Sequence, residues 1–211
     1  MPDLNKLNQA ILEGDAKTAA AVTQEAINAG VDPAVLIQQH MVPAMDEVGR
    51  RYEAEEYFVP ELLLAARAMK ASLELLRPLL AASGAEPAGR VAIGTVKGDL
   101  HDIGKNLVGS MLEGGGFEVI DLGADVAPEK FIEAIRERGA RIVCLSALLT
   151  VTMPSMKKTI DALKEAGFGD QGKGLVGGAP VTPQFAEEIG ADGYGETANA
   201  AVALARRFVQ G

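Results

Sequence analysis

Few residue types in this chain can do chemistry beyond simple carboxylate and ammonium charge. There are two histidines, His40 and His101, and one cysteine, Cys144. No internal disulfide can form, and neither a thiolate cluster nor a His-rich metal site can be assembled. His101 lies in the run Gly98-Asp99-Leu100-His101-Asp102-Ile103-Gly104, two residues after Asp99. At that separation in a loop a carboxylate can reach one imidazole nitrogen. It would then fix the tautomer and raise the basicity of the other nitrogen, the usual arrangement behind a metal-ligating histidine. An ordinary loop ion pair has the same spelling. No second or third ligand stands nearby, so a lone histidine suffices only for a metal that arrives already coordinated inside a macrocycle.

Three further stretches are rich in hydroxyls or glycine: Ser146-Ala147-Leu148-Leu149-Thr150-Val151-Thr152, Gly177-Gly178-Ala179-Pro180 and Tyr194-Gly195-Glu196-Thr197. Gly177-Gly178 fits a tight turn or a close backbone approach to a flat or phosphate-bearing ligand. Ser146 and Thr152 could equally cap following helices. His40 falls mid-helix and reads as surface or packing. Cys144 sits inside an apolar run and reads as a small buried hydrophobe.

The elements that must position these residues fall into two halves. Up to about Ser83 the pattern is helical: Leu4, Leu7, Ile11 and Leu12; then Ala19, Val22, Ala26 and Ile27; then Leu36, Ile37, Val42, Met45 and Val48. Asp32-Pro33 opens the third stretch as an N-cap and first-turn pair, and Pro43 is expected to kink or divide it. A fourth helix is expected from near Pro60 toward Leu80, with Pro78 disturbing its end. These form a four-helix bundle over residues 1–82, and 83–89 reads as a linker.

From residue 90 to 211 short apolar runs alternate with helical stretches. Strands are expected at Val91–Gly94, Phe117–Leu122, Ile142–Leu145, Gly174–Val176 and Gly193-Tyr194. Helices are expected near 104–113, 128–138, 154–166, 182–189 and 197–209. Five βα units imply a doubly wound, five-stranded parallel sheet of the Rossmann-like (flavodoxin-like) kind. The fold class is thus α followed by α/β. In such sheets ligands sit beyond the C-terminal strand ends at the topological switch point, where all the loops quoted above would meet.

Composition narrows the partners. The 211 residues are 48% hydrophobic and 23% charged, enough for packed cores, with a net charge of −9. Basic and acidic side chains number 7 and 12 in residues 1–82, and 13 and 17 in the remainder, so neither half offers a cationic surface. Nucleic acid and anionic membrane are therefore poor partners. No apolar run reaches a bilayer's span, and the N-terminus lacks a signal peptide's pattern. A single cysteine suits a reducing compartment, and a soluble cytoplasmic protein is expected.

The combination is more informative than its parts. Asp-x-His-x-x-Gly at 99–104, then 41 residues, then Ser146-x-Leu148, then 28 residues, then Gly177-Gly178, resembles the signature of cobalamin-binding domains. The string Thr95-Val96-Lys97-Gly98-Asp99-Leu100-His101-Asp102-Ile103-Gly104-Lys105-Asn106 is similar to methionine synthase and to the corrinoid proteins of methyltransferase systems. Tyr57-Phe58-Val59-Pro60-Glu61 with Ala65-Ala66-Arg67-Ala68-Met69-Lys70 is similar to the helical cap that precedes that domain in methionine synthase. The resemblance spans about residues 1–205.

It implies a cobalamin or related corrinoid, carrying cobalt and cycling through methylcobalamin. The corrinoid would be bound base-off/His-on, with His101 the metal ligand through Nε2. Asp99 would hold the other nitrogen, and Thr152 would stand where methionine synthase has a serine in that relay. Gly98, Leu100, Asp102, Ile103 and Gly104 would belong to the same loop. Ser146, Leu148, Thr150, Gly177, Gly178 and Tyr194 would line the slot for the displaced nucleotide tail. Tyr52 and Val59 of the cap would shield the methyl group. The implied function is a non-catalytic methyl carrier. It would accept methyl on cobalt(I) from a substrate-specific methyltransferase and pass it to a second methyltransferase acting on tetrahydrofolate or coenzyme M; a reductive activase is a further implied partner. A cobalamin-binding regulator or storage protein shares both domains, but a regulator would need a basic DNA-binding helix. A mutase subunit shares the lower loop and typically lacks the cap.

Overall fold

The computed structural model describes residues 2–83, 87–169 and 172–210. Residues 84–86 of the expected linker lie outside them. The chain divides into two compact units, one of Met1–Pro87 with Glu113–Gly116 and one of Ala88–Leu112 with Phe117–Gly211.

The first unit is helical. Helix α1 (Leu4–Leu12) starts at Asp3, whose carboxylate accepts the Asn5 and Lys6 N–H groups, and α2 (Ala16–Asn28) starts at Asp15, which accepts from Thr18. Both caps satisfy donors that the first helical turn leaves unpaired. Asp32 caps α3 (Pro33–Val35), which runs without a break through a wide π turn (Leu36–Met41) into α4 (Val42–Glu53). Pro43 therefore does not divide the stretch. It stands in the first turn of α4, and the widened turn before it absorbs the missing N–H and the bulk of the ring. Helix α5 (Val59–Ser83) continues past Pro78, whose interior position Leu73 and Leu76 offset by burying themselves just before it. The core is apolar: Leu7, Ile11, Leu36, Met41, Leu62, Met69 and Leu76 are all fully buried.

The second unit is a five-stranded parallel sheet in the order β2-β1-β3-β4-β5. Its strands are β1 (Arg90–Thr95), β2 (Glu118–Asp121), β3 (Ile142–Ser146), β4 (Lys173–Gly177) and β5 (Gly193–Tyr194). Crossover helices are α6 (Ile103–Gly114), α7 (Pro128–Arg138), α8 (Met153–Glu165) and α9 (Pro183–Ile189), with α10 (Ala198–Gln210) last. The expected elements are present with ends shifted by at most one residue, as hydrogen-bond pairing and not hydrophobicity decides where a strand stops. One apolar layer includes Val96, Phe131, Val143, Leu145, Met156 and Val176.

Because β2 and β3 flank β1 on opposite sides, the chain reverses direction across the sheet at β1, and the switch point lies between β1 and β3. Thr95 pairs with Ser146, and Ser146 with Gly177. The chains leaving β1, β3 and β4 therefore depart at one level of one edge.

Candidate functional site

Asp99 is the centre of that edge. It is 0% exposed, and its carboxylate receives five donors. Oδ1 accepts the His101 backbone N–H at 3.0 Å and faces His101 Nδ1 at 2.8 Å. Oδ2 accepts the Leu148 N–H at 2.8 Å, the Leu149 N–H at 3.3 Å and the Thr152 hydroxyl at 2.7 Å. Burial pushes this carboxyl upward, but the hydrogen bonds from the His101 backbone, Thr152, Leu148 and the His101 ring outweigh it and hold it well below the usual carboxylate range. Asp99 is thus ionised at neutral pH and accepts only, so Nδ1 of His101 must carry the proton it shares. In the neutral ring the lone pair is then on Nε2. The His101 side chain is 50% exposed, so that lone pair is available on the open edge of the ring.

The loop is fixed at further points. Thr95 Oγ1, at the end of β1, donates to the His101 carbonyl at 2.9 Å. Thr152 Oγ1 also lies 2.7 Å from the Leu149 carbonyl, which already accepts the Thr152 N–H. The hydroxyl has one proton for these two acceptors, and the ionised Asp99 carboxylate is the stronger of them. Gly98 has φ +90, a conformation that a side chain would strain.

Around His101 the surface is apolar without being covered: Leu100 is 76% exposed, Ile103 79% and Val151 79%, with Leu148 and Leu149 also exposed. Contiguous apolar side chains left open in this way mark a binding surface. A Cβ at Gly104 would meet nothing, so open space faces the start of α6. The other glycines differ. A Cβ on Gly177 would come within 2.8 Å of the Gly195 carbonyl oxygen, and one on Gly178, at φ +134, would collide with the Ala147 carbonyl. Packing between neighbouring loops by itself demands both.

Asp99, His101 and Thr152, separated by up to 53 residues, are thus brought together. Ser146 and Gly177 pair at the strand ends. Leu148 and Thr150 follow β3 on the surface, and Tyr194 on β5 packs half-buried against the core. Asp102 is exposed, and its carbonyl accepts the Asn106 N–H at 2.7 Å. Tyr52 on α4 and Val59 at the start of α5 belong to the helical unit. Cys144 is buried in β3, where loss of hydration pushes its thiol up to about 12. The sequence offered no role for Thr95, for the Leu148 and Leu149 amides or for the apolar Leu149 and Val151. A hydroxyl closing a buried strand was the one legible signal, and backbone donors have no spelling at all.

Known proteins fit this geometry. The family of B12 binding domains matches at residues 89–203, and a second B12 binding domain family matches at residues 3–77. Trimethylamine corrinoid protein 2 of Methanosarcina mazei is 47% identical over 200 residues, covering 94% of this chain and 92% of that protein. A corrinoid protein of Desulfitobacterium hafniense is 42% identical over 209 residues, covering 98% and 97%. Among solved structures, the methanol:cobalamin methyltransferase complex MtaBC of Methanosarcina barkeri matches with TM-score 0.85 at 33% identity, over 99% of this chain and 80% of that one. A novel cobalamin-binding protein of Desulfitobacterium hafniense matches with TM-score 0.79 at 34% identity, over 98% of both. Fold and site together define a B12-binding protein. Within that class, the chain belongs to the corrinoid proteins of methyltransferase systems.

The residues present fit such a group. A corrin supplies cobalt's equatorial donors, which matches a site with a single imidazole. Its broad, partly apolar face suits exposed Leu100, Ile103 and Val151, and the open space at Gly104 can take a protruding tail. Among the described residues no helix is long and apolar enough to cross a membrane.

Proposed function

We propose that this chain holds its corrinoid base-off, with His101 Nε2 as the lower axial ligand, and carries a methyl group between two methyltransferases. Bound there, the corrinoid supplies a cobalt centre that can take a methyl group from one partner and yield it to another. The observation that carries the reading is the 2.8 Å contact between His101 Nδ1 and buried, ionised Asp99, which leaves Nε2 as the acceptor on an exposed apolar face.

The protein's own contribution is positional and electrostatic. Asp99 accepts Nδ1–H and holds the ring in one tautomer and one orientation. Thr152 donates its proton to the far oxygen of the same carboxylate. Protonation of Nε2 would block its lone pair and favour release of the ligand. Ser146, Leu148, Thr150, Gly177, Gly178 and Tyr194 are the proposed lining for the nucleotide tail, with Gly98, Leu100, Asp102, Ile103 and Gly104 forming the loop beside it. In the helical unit, taken as a cap domain over residues 1–82, Tyr52 and Val59 are the proposed shield.

The partners follow from the same reading. MtaBC is a complex with a methyltransferase, which supports a methyl-donating enzyme as the first partner. The relatives named for trimethylamine and dimethylamine make a methylamine enzyme the first to try. A tetrahydrofolate or coenzyme M methyltransferase on the acceptor side, and a reductive activase, complete the proposed set.

The test is to mix apo-protein with hydroxocobalamin, remove excess by gel filtration, and record visible spectra beside His101→Ala. Corrinoid should coelute with the wild type in a His-on spectrum and give a base-off spectrum in the variant. Identical spectra would remove His101 from the metal, and no coelution would remove the function.

A further inference from the structure

His101 is aimed by Asp99, whose carboxylate is held by the His101 backbone N–H and, on one flank, by Leu148, Leu149 and Thr152 of the loop after β3. The segment after β2 grips the opposite flank. Beyond β2 the chain stays alongside β1: Thr95 N–H donates to the Gly123 carbonyl at 3.0 Å, and Val126 N–H to the Thr95 carbonyl at 2.9 Å. At the end of this strip stands Asp125. It is one of two non-glycine residues with positive φ among the described residues, at +57. Its backbone N–H donates to the Asp99 carbonyl at 2.9 Å. Its side chain turns back, and Oδ1 accepts the Gly98 N–H at 2.8 Å. Oδ2 takes the exposed Lys97 ammonium at 2.9 Å.

A surface ion pair alone would need neither the left-handed backbone nor two bonds to the backbone of consecutive residues 26 and 27 positions away. Aspartate tolerates that conformation better than most residues. It also keeps an acceptor on the amide of Gly98, itself at φ +90. Acceptor and donor together hold the Lys97–Gly98 and Asp99–Leu100 peptides, which bracket the Cα from which the Asp99 side chain departs. Resting on the reading of His101 as the axial ligand, we propose that Asp125 is a positioning residue that sets the direction of Asp99 and, through it, of His101 Nε2. It acts through the Gly98–Asp99 backbone and touches neither His101 nor the corrinoid.

Two substitutions separate its parts. Asp125→Asn keeps an acceptor and the tolerated backbone but loses the charge facing Lys97, the remaining charged group at the contact. Asp125→Gly frees the backbone and deletes the acceptor. The apo-protein is observed first, by nitrogen-15 NMR of the His101 ring and by hydrogen exchange at the Gly98 amide. In Asp125→Gly the Nδ1–H signal should broaden or exchange about tenfold faster, and the Gly98 amide should lose protection. In Asp125→Asn both should stay within about twofold of wild type.

Holo-protein is then made with hydroxocobalamin. The His-on fraction should fall in Asp125→Gly and recover in Asp125→Asn, with an effect near the low end of the 10–100-fold typical of groups that orient metal ligands. An unchanged ring signal and spectrum in Asp125→Gly overturns the positioning role, as does equal loss in both variants. His101→Ala run alongside keeps the two readings apart. If its spectrum equals wild type, the axial ligand assignment fails, while the apo ring and amide signals still decide whether Asp125 orients Asp99.

Discussion

The two units of this protein bury very different things. In the helical unit the fully buried large side chains are Leu, Ile and Met, and the buried polar groups are Thr23 and Ser72. Thr23 bonds the Ala19 carbonyl one turn back, and Ser72 Oγ has no partner among the described residues. The α/β unit buries Thr95, Asp99, Lys105, Thr152 and Thr159. Each is bonded, and Lys105 Nζ reaches both carboxylate oxygens of Asp121 and the side-chain Oδ1 of Asn106 at 2.6 Å. Apolar packing is non-directional and tolerates exchange of similar volumes. A buried polar network is directional and leaves costly orphans when one member goes. The bundle is therefore specified by shape, whereas the site edge is specified by individual atoms.

Breaking the network at its centre should have the largest effect. Asp99→Ala leaves four backbone and side-chain donors and the His101 ring without their acceptor. It should cost the α/β unit about 3–5 kcal/mol, the usual penalty for removing one partner of a buried charged set, read as a lowered denaturant midpoint. Asp99→Asn should weaken axial ligation while preserving the fold better, and an unchanged cobalt spectrum would count against the relay.

The same carboxylate gives the comparison a pH dependence. Its folded value lies below the ordinary 3.8, so its contribution is complete above that pH and is lost as pH falls toward the folded value. Urea titrations between pH 5 and 2 should show the α/β unit losing stability below about 3.8, and Asp99→Asn should flatten that loss.

A smaller effect comes from the same substitution made in both units. Gly178→Ala forces a Cβ into the Ala147 carbonyl at φ +134 and should cost about 3 kcal/mol. Gly30→Ala, at φ +74 with open space around it, should cost only about 1 kcal/mol. Equal costs would mean that the strand-end loops are looser than their packing indicates. Smaller still is the hydroxyl pair: Thr152→Val should cost about 1 kcal/mol, and Ser72→Ala should be neutral or stabilising, since it deletes an unpaired buried group. Cys144, with its thiol pushed up to about 12, should resist thiol reagents at pH 8 until the protein is unfolded.

Much of this was legible in the chain. The change from helical periodicity to alternating short strands and helices is a local property, as are the caps at Asp3, Asp15 and Asp32, and both follow from residue types a few positions apart. Pro43 marked an irregularity but not its form: the stretch stays continuous through a π turn, and nothing nearby spells that choice. Gly177 and Gly178 left two readings open, and only the neighbouring carbonyls of Gly195 and Ala147 show that loop packing requires them.

The sequence by itself determined the sort of chemistry available: one histidine with a carboxylate two residues away, too few ligands for a bare metal, and loops that topology must gather at one sheet edge. Only the tertiary structure decided which donors meet Asp99, because four of the five come from backbone amides and from residues about 50 positions distant, and a backbone amide is spelled identically everywhere. It also decided that Nδ1 is committed while Nε2 stays free, and that Asp125 closes the second flank. Those outcomes depend on strand register and loop course, which bring together atoms the linear order keeps apart.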